Sequence, residues 1–453
     1  MRWLIALMLL ALVAAACGGD DDDDAAGDTG GDTGGGQPAE FTLFGAPTGV
    51  EGDAMTGFIE AYNAETGSDI SYTGSDDFET QLQIRVEGND PPDVAFVPQP
   101  ASICVYAGEG HLASLEDMGF DIAEMEANHG KFWMDLGLCE DGSHYGIPWF
   151  PNFKSTVFYH QPTFEENGYE VPETYEDLVA LSEQIVADGM TPWCFGFEAG
   201  TATGWAGTDW IEDIVVRQVG ADVYTQWYQG EVPFTDPQIT QAFDAFGEIL
   251  HGEGFVLGGA ENVPSINVDD SPGPLFQDPP GCLMLKQGSF IANVFADMPE
   301  FEEGEDAEIA VFPFPTIDGN GGAMGGGDTL IVFNDEPANV QAVMDWITPE
   351  WLCTLASETG GGIAEHGGHG VPGVQRLPGH KDVDPNCYET EAAIAFAETI
   401  TEALGSNTFV FDASDLMPPE VGQRSFWDGM VSFAQGTSTA EVTEAIQAAW
   451  PAS

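Results

Sequence analysis

The chain has 453 residues, of which 77 are Asp or Glu and 9 are Lys or Arg, so its formal net charge at pH 7 is −68. A surface with that charge repels nucleic acid and anionic lipid headgroups, which excludes both as expected partners. With 43% hydrophobic and 11% aromatic residues, the chain can still bury one or two large cores beneath an acidic surface.

The first residues have the pattern of an export signal. Arg2 is followed by an apolar or small-residue run at 3–16, shorter than the roughly 20 residues of a membrane-spanning helix. Residues 12–18 (LVAAACG) resemble a bacterial lipobox, which implies cleavage after residue 16 and a lipid on Cys17. An ordinary secretory signal with an incidental cysteine is the alternative. We expect the chain to be held to the extracellular or periplasmic face of the cell membrane by this lipid alone.

The segment that follows, residues 17–39, is predicted to be an acidic, glycine-rich tether. Residues 18–39 are almost entirely Gly, Asp, Thr and Ala, which cannot form a core. A flexible coil of about 22 residues spans on the order of 25 Å, enough to lift a domain clear of headgroups. Calcium binding by these aspartates is disfavoured because the Asp-x-Asp-x-Asp-Gly order with a terminal Glu is missing.

From residue 40 the pattern alternates between strands and helices. The predicted elements are a strand at 41–44, a helix containing Phe58, Ile59 and Tyr62, a strand at 69–73, a helix at 78–86 and a strand at 93–97. This βαβαβ order predicts a mostly parallel sheet. Its ligands would lie at the carboxyl ends of the strands, in the loops at 45–49, 74–78 and 98–100.

A second region begins after residue 149, with a strand at 155–159. Thr174 is a natural N-cap with Asp177 three residues later, and the helix that it begins has an apolar face made by Leu178, Leu181 and Ile185. Strands are predicted again at 309–313 and 329–333, and helices after residue 340. The length exceeds one ordinary core, so we expect two lobes joined by more than one crossing.

Motifs along almost the whole mature chain resemble one family. They are SDDFETQ at 75–81, RVEG at 85–88, PPDVA at 91–95, YGIP at 145–148, KS at 154–155, TPWC at 191–194, GWAGTDWIED at 204–213, GGGD at 325–328 and DASDLMP at 412–418. In this order they are similar to the extracellular solute-binding proteins of bacterial ABC importers, in the carbohydrate-binding group near alpha-glucoside binders.

The resemblance implies an α/β fold of the two-lobe, type II periplasmic-binding kind, with the ligand cleft between the lobes. The N-terminal lobe would comprise residues 40–154 plus 312–355, and the C-terminal lobe 155–311 plus 356–453. It further implies a monomer that captures a carbohydrate with high affinity, closes on it, and delivers it to the permease subunits of an ABC transporter. No enzyme activity, cofactor or metal is expected.

The cysteine count agrees with export, because six remain once Cys17 carries the lipid. Six cysteines allow fifteen pairings. Closeness in sequence together with the resemblance favours Cys104 with Cys139, Cys194 with Cys282, and Cys353 with Cys387. None of them has metal-site spacing, and His366 and His369 lack a third ligand nearby, which favours a mobile loop over a metal site.

Sugar binding calls for aromatic rings that stack on pyranose C–H faces beside polar groups that bond hydroxyls. Residues 205–213 offer this mixture in Trp205, Asp209 and Trp210, and Trp149 and Trp427 are further stacking candidates. Core packing is the alternative for every one of these tryptophans.

Further candidates lie in predicted turns or at strand ends. Asp76, Gln99, Asp209 and Asp328 can bond hydroxyls there, or can simply form turns. Gly327, in a glycine loop, would let backbone N–H groups approach the ligand, or would only allow a bend. Lys154, one of four lysines, is predicted to pair with a carboxylate or a ligand hydroxyl, and a buried structural ion pair is the alternative.

Two other functions are compatible with a secreted carbohydrate-binding chain: a glycoside hydrolase and a lectin-like attachment protein. A hydrolase needs two carboxylates at a set separation, which 77 acidic residues cannot identify, and a lectin often has repeats, which the globular part lacks. The many acidic residues spread along the chain indicate a solvated surface suited to saline surroundings, where salt screens the repulsion between their charges. Electrostatic steering of a cationic ligand is the alternative.

Overall fold

The computed structural model describes residues 38–295, 309–355, 379–384, 387 and 409–451. The predicted signal peptide, Cys17, nearly all of the tether, and His366 and His369 lie outside the described residues. Ala39, at the predicted end of the tether, is already buried. Among the described helices, none combines the length and apolarity needed to cross a membrane.

The larger of two sheets has six strands. They are β1 (Glu40–Gly45), β2 (Asp69–Gly74), β3 (Val94–Val97), β4 (Ile147–Phe153), β8 (Ala323–Val332) and β9 (Phe409–Phe411). The order is β2, β1, β3, β8, β4, with β9 paired to β8. β1 is parallel to β2 and β3, as predicted, whereas β8 runs antiparallel to both β3 and β4. The sheet is therefore mixed, because a late strand of the chain inserts between two early ones.

Helices cover both faces of this sheet. They include α1 (Gly49–Thr66), α2 (Phe78–Glu87), α3 (Pro100–Gly108), α4 (Ile122–His129), α5 (Lys131–Asp135) and α11 (Pro337–Trp346). The successive residues Leu43 and Phe44 of β1 pack into different hydrophobic cores, one containing Phe58 of α1 and the other Phe78 of α2. This alternation follows from the twofold side-chain period of a strand.

The smaller sheet has three strands, β5 (Thr156–His160), β6 (Met284–Lys286) and β7 (Ile309–Pro313), in the order β6, β5, β7. Its helices are α6 (Gln161–Asn167), α7 (Tyr175–Ala187), α8 (Trp205–Tyr228, with a break at Gly220), α9 (Pro237–Leu250) and α10 (Ala292–Phe295). The predicted N-cap is confirmed, because Thr174 Oγ1 accepts a hydrogen bond of 3.1 Å from the backbone N–H of Asp177.

After β9 come α12 (Ala413–Leu416), a π-helical turn (Glu420–Phe426), α13 (Trp427–Ala434) and α14 (Thr439–Ala448). Lys154 and Ser155 alone separate β4 of the larger sheet from β5 of the smaller one. The lobe boundaries at 154, 312 and 355 stay a prediction.

The glycines at 325–327 were expected in a loop, and this expectation is wrong. They belong to β8 and pair with residues 151–153 of β4. A Cβ on Gly325 would lie 2.3 Å from the carbonyl oxygen of Asn152, and one on Gly327 would lie 2.8 Å from that of Phe150. Glycine is needed there because the two strands approach too closely for a side chain.

Three disulfides are present in the described residues, and they join the predicted partners: Cys104 to Cys139, Cys194 to Cys282, and Cys353 to Cys387.

Candidate ligand-binding site

A cleft of about 470 Å³ opens between the larger sheet and the helices that accompany the smaller one. Three groups of residues line it. The first wall comprises lining residues within 46–51, 75–79 and 98–99; the second wall comprises those within 198–205 and 267–269 together with Phe290 and Val294; the floor comprises those within 150–154, 326–328 and 412–415 together with Trp427.

The first wall is built from the loops that leave β1, β2 and β3, where ligand contacts were predicted. Asp76 Oδ1 accepts a hydrogen bond of 2.6 Å from Thr48 Oγ1, which joins two of these loops. Gln99 is buried, and its Nε2 donates to Glu79 Oε1 at 3.1 Å. Burial raises the pKa of Glu79. The side chains of Asp76 and Gln99 are therefore held in place before any ligand arrives.

The second wall is organised around Glu198. Its carboxylate accepts hydrogen bonds from the backbone N–H of Gly200 at 3.0 Å and from Asn267 Nδ2 at 2.7 Å. These bonds lower the pKa of Glu198. A fixed, ionised carboxylate thus ties the turn at 198–202 to the loop at 267–269.

Aromatic rings lie on the second wall and the floor. Trp205, the first residue of α8, has the Lys154 Nζ 5.1 Å from its ring centroid and the ring of Phe290 at 5.9 Å. Trp427 begins α13, and no described residue accepts a hydrogen bond from its indole N–H. Phe150 completes the set. The cleft therefore offers flat apolar faces beside hydrogen-bond acceptors.

Two tryptophans predicted to stack on a ligand do not line the cleft. Trp149 is fully buried in the core of the larger sheet and stacks on Trp346 at 5.9 Å. Trp210 is buried in the core around α8 and stacks on Phe246 at 5.1 Å. The stacking hypothesis for both is corrected to core packing, because neither residue lines the cleft and each ring lies inside a hydrophobic core.

Lys154 lies on the floor at the centre of a buried ionic network. Its Nζ is 3.1 Å from Asp209 Oδ1 and 2.5 Å from Asp412 Oδ2. Asp209 was predicted to bond a ligand hydroxyl from a turn or strand end, and this is corrected: it lies within α8, is buried behind the floor and is not part of the lining. Pairing of Lys154 with a carboxylate is thus confirmed, in the form of the buried ion pair that was the stated alternative and with two carboxylates in place of one.

A second set of buried charges lies deeper, next to the first. Asp213 is bonded to Arg217 one turn along α8, and its Oδ2 lies 3.1 Å from Lys286 Nζ. Lys286 Nζ also donates to the backbone oxygens of Lys154 and Asp209, each at 3.2 Å. Lys286 thereby connects Lys154, on the floor of the cleft, to α8 and to β6.

The carboxyl groups of this network differ in acidity. Burial raises the pKa of Asp209 to about 7, although Lys154 opposes the rise. Burial also raises the pKa of Glu212 and of Asp415 well above the ordinary range. The pKa of Asp412 is lowered to about 2, because the charge and hydrogen bond of Lys154 outweigh its burial. Most of the negative charge is therefore carried by the carboxylate closest to the ammonium.

Asp209, Glu212 and Asp412 have oxygens close enough to bind a cation. The Lys154 ammonium already lies between two of these carboxylates, and Glu212 accepts hydrogen bonds from the backbone N–H groups of Ala413 and Ser414. These residues form a structural ionic network and do not fit a metal centre.

The structure brings seven of the ten predicted ligand residues into the lining of one cleft: Asp76, Gln99, Lys154, Trp205, Gly327, Asp328 and Trp427. The sequence reasoning missed Phe150 and Phe290. Phe150 follows Trp149 in β4, but the register shifts between Pro148 and Phe150 and both rings pack in the same core, so strand alternation did not mark Phe150 as a lining residue. Phe290 lies in a stretch without regular periodicity, which carried no signal.

Comparisons with known proteins also indicate a solute-binding protein. A family model described as "Bacterial extracellular solute-binding protein" matches residues 46–349. The osmoprotective compounds-binding protein GgtB of Synechocystis sp. is 34% identical over 91% of this chain and 92% of its own length. The alpha-glucosides-binding periplasmic protein AglE of Rhizobium meliloti is 36% identical over 90% and 86%.

Solved structures share the fold at low identity. The bacterial solute receptor AcbH, described as having an exclusive preference for b-D-galactopyranose, superposes with a TM-score of 0.74 at 17% identity over 90% of this chain and 98% of its own. Maltose-bound MalE3 of T. maritima gives 0.68 at 16% over 90% and 98%. The predicted two-lobe α/β fold of type II, with a cleft between the lobes, is confirmed.

Proposed function

The chain belongs to the family of bacterial extracellular solute-binding proteins, and we propose that it captures a carbohydrate outside the membrane and delivers it to an ABC importer. This family consists of binding proteins and not of enzymes. The ligand that we propose is an alpha-glucoside or another small oligosaccharide, in keeping with the printed name of AglE.

One observation carries the proposal: a single cleft places Trp205 and Trp427 beside carboxylate and amide side chains from the opposite wall. Aromatic faces attract the C–H faces of a pyranose, while carboxylates and amides bond its hydroxyls. A neutral, hydroxyl-rich ligand satisfies all of these groups together.

The mechanism is capture by closure. In the open form the sugar binds mainly to one wall, and closing adds contacts from the other. We assign stacking to Trp205 and Trp427 and hydroxyl bonding to Asp76, Gln99 and Asp328. Lys154 presents a cation on the floor that two carboxylates hold in place. No bond of the ligand is broken, so the bound sugar remains intact for the permease subunits.

We also propose that the chain works as a lipid-anchored monomer. Residues 12–18 fit a lipobox, and an acyl group on Cys17 would hold the domain at the outer face of the cell membrane. The segment at 18–39 would let the domain move between free ligand and the permease. Mass spectrometry of the membrane-extracted protein tests this: diacylglyceryl mass on Cys17 is expected, and an unmodified Cys17 would contradict the anchor.

Calorimetric titration with maltose, trehalose and sucrose tests the function, with chromatography of each sugar afterwards. We expect one site per chain for at least one sugar, no products, and a smaller radius of gyration by X-ray scattering in the bound form. Released glucose would indicate a glycoside hydrolase, and several weak sites a lectin. An unchanged radius of gyration with a bound sugar would refute capture by closure.

A further inference from the structure

The two walls of the cleft touch each other where the turn at 198–202 meets the loop after β2. Gly200 of the second wall has φ +58°, and a Cβ built on it would lie 3.0 Å from the backbone oxygen of Asp76 and 3.0 Å from Asp77 Oδ1. The turn at 198–202 therefore rests directly on the loop that follows β2.

Acidic side chains border this contact on both sides. Glu51, Asp76 and Asp77 belong to the first wall, and Glu198 and Asp269 to the second. The carboxylates influence each other across the gap: partial desolvation of Asp269, followed by the negative charges of Glu51 and Asp76, raises its pKa to about 6, although Asp269 remains exposed to solvent. Each wall therefore carries charge of the same sign toward the other.

Little positive charge offsets the negative charge of the two walls. Among the described residues that line the cleft, Lys154 is the only lysine or arginine, and Asp209 and Asp412 already bind its ammonium. The hydrogen bonds that lower the pKa of Glu198 also keep that carboxylate ionised. Bringing the walls together thus brings like charges together.

We infer that repulsion between the carboxylates of the two walls opposes closure, so that this receptor binds its sugar tightly only in saline medium, where ions screen that repulsion. The inference rests on the proposed function and adds a regulation to the same site. The Debye length falls from about 10 Å at 0.1 M salt to about 3 Å at 1 M, which spans the distances across such a cleft. An uncharged sugar has no charge to screen, so the salt effect reports on the protein.

The first arm measures the Kd of the tightest-binding of maltose, trehalose and sucrose between about 0.1 M and about 2 M NaCl. We expect the Kd to fall roughly five- to tenfold as salt increases. Circular dichroism at each concentration restricts the comparison to fully folded protein. Choline chloride at equal ionic strength should act as NaCl does, and an effect of NaCl alone would overturn screening in favour of a bound sodium ion.

Variants test which carboxylates cause the salt dependence of sugar binding. The double variant Asp269→Asn with Asp270→Asn removes two charges from the second wall and its neighbour, so it should bind more tightly at low salt and depend less on salt. The control is Asp222→Asn with Glu183→Gln, two exposed acids outside the cleft lining. The control should keep the salt dependence of the unaltered protein. Equal slopes for the two double variants would overturn the inference.

The second arm needs no sugar. X-ray scattering of the ligand-free protein should show a radius of gyration that decreases with NaCl in the unaltered chain and the control, and decreases less in the Asp269/Asp270 variant. If none of the three sugars binds at any salt, the proposed ligand class fails while this arm still decides the electrostatic inference. If a sugar binds with a salt-independent Kd, the inference alone fails.

Discussion

Replacing Asp209 with Asn should flatten the dependence of folding stability on pH between pH 5 and 7. Asp209 is buried, and its pKa is raised from 3.8 to about 7, chiefly by burial. Between these two values the folded protein holds a proton on this carboxyl and the unfolded chain does not. The free energy of unfolding therefore increases as pH falls from 7 toward 4. Asn cannot take up that proton, so the variant lacks this contribution.

The size of the effect follows from the shift. One pKa unit corresponds to about 1.4 kcal/mol and Asp209 is half protonated at pH 7, so its contribution changes by roughly 2 kcal/mol between pH 5 and 7. The amide keeps the shape of the side chain, and its Oδ1 can still accept from Lys154 at 3.1 Å. Lys154 also keeps its contact with Asp412. The substitution therefore removes a charge without leaving the ammonium unpaired.

Urea unfolding at constant, high ionic strength at several pH values measures this difference. The matched control is Asp222→Asn, an exposed carboxyl on the same helix α8. The control profile should run parallel to that of the unaltered protein, while the Asp209→Asn profile should diverge from both. Parallel profiles for all three proteins would show that Asp209 does not titrate in this range, and the account of the buried network would have to be revised.

Three further predictions concern binding and stability. Trp205→Ala should weaken sugar binding by roughly 1–3 kcal/mol in calorimetry with little loss of stability. Trp210→Ala should instead lower the free energy of unfolding by about 3–5 kcal/mol. The reverse pattern would mean that Trp210 stacks on the ligand and that Trp205 is a core residue. Gly200→Val should prop the walls apart, so that scattering of the sugar-loaded protein keeps the larger, open radius of gyration; normal closure would remove this contact from the mechanism. Replacing Cys194 and Cys282 by Ala opens a disulfide with a sequence separation of 88, which should lower the free energy of unfolding by about 4–5 kcal/mol in urea titration, and no change would mean that the unfolded chain is already restricted.

Local sequence patterns predicted much of the fold. The strands β1, β2 and β3 and the intervening helices follow from hydrophobic periodicity, and the cap at Thr174 follows from its side chain and that of Asp177. These features depend on residues a few positions apart. The same order also located the first wall, because the carboxyl ends of neighbouring parallel strands share one edge of a sheet.

The stacking residues were harder to predict, although one signal was present. Trp205 and Trp210 are five residues apart in α8, which places them about 140° apart around the helix axis, so both could not face one cleft. In β4, strand alternation predicts that Trp149 and Phe150 point to opposite faces, but the register shifts between Pro148 and Phe150, and both rings pack in one core with their centroids 4.4 Å apart. Only packing against Trp346 and Phe246 decided which tryptophans are core.

The sequence by itself determined the order of β1, α1, β2, α2 and β3, the acidic character of the chain and seven of the residues that line the cleft. The tertiary structure alone decided that Lys154 meets Asp412, 258 positions further along the chain, and that the glycines at 325–327 form a strand. Periodicity and capping act over a few residues, so they can be read locally. Which side chains share a buried network depends on how distant segments pack, and no local pattern encodes that choice.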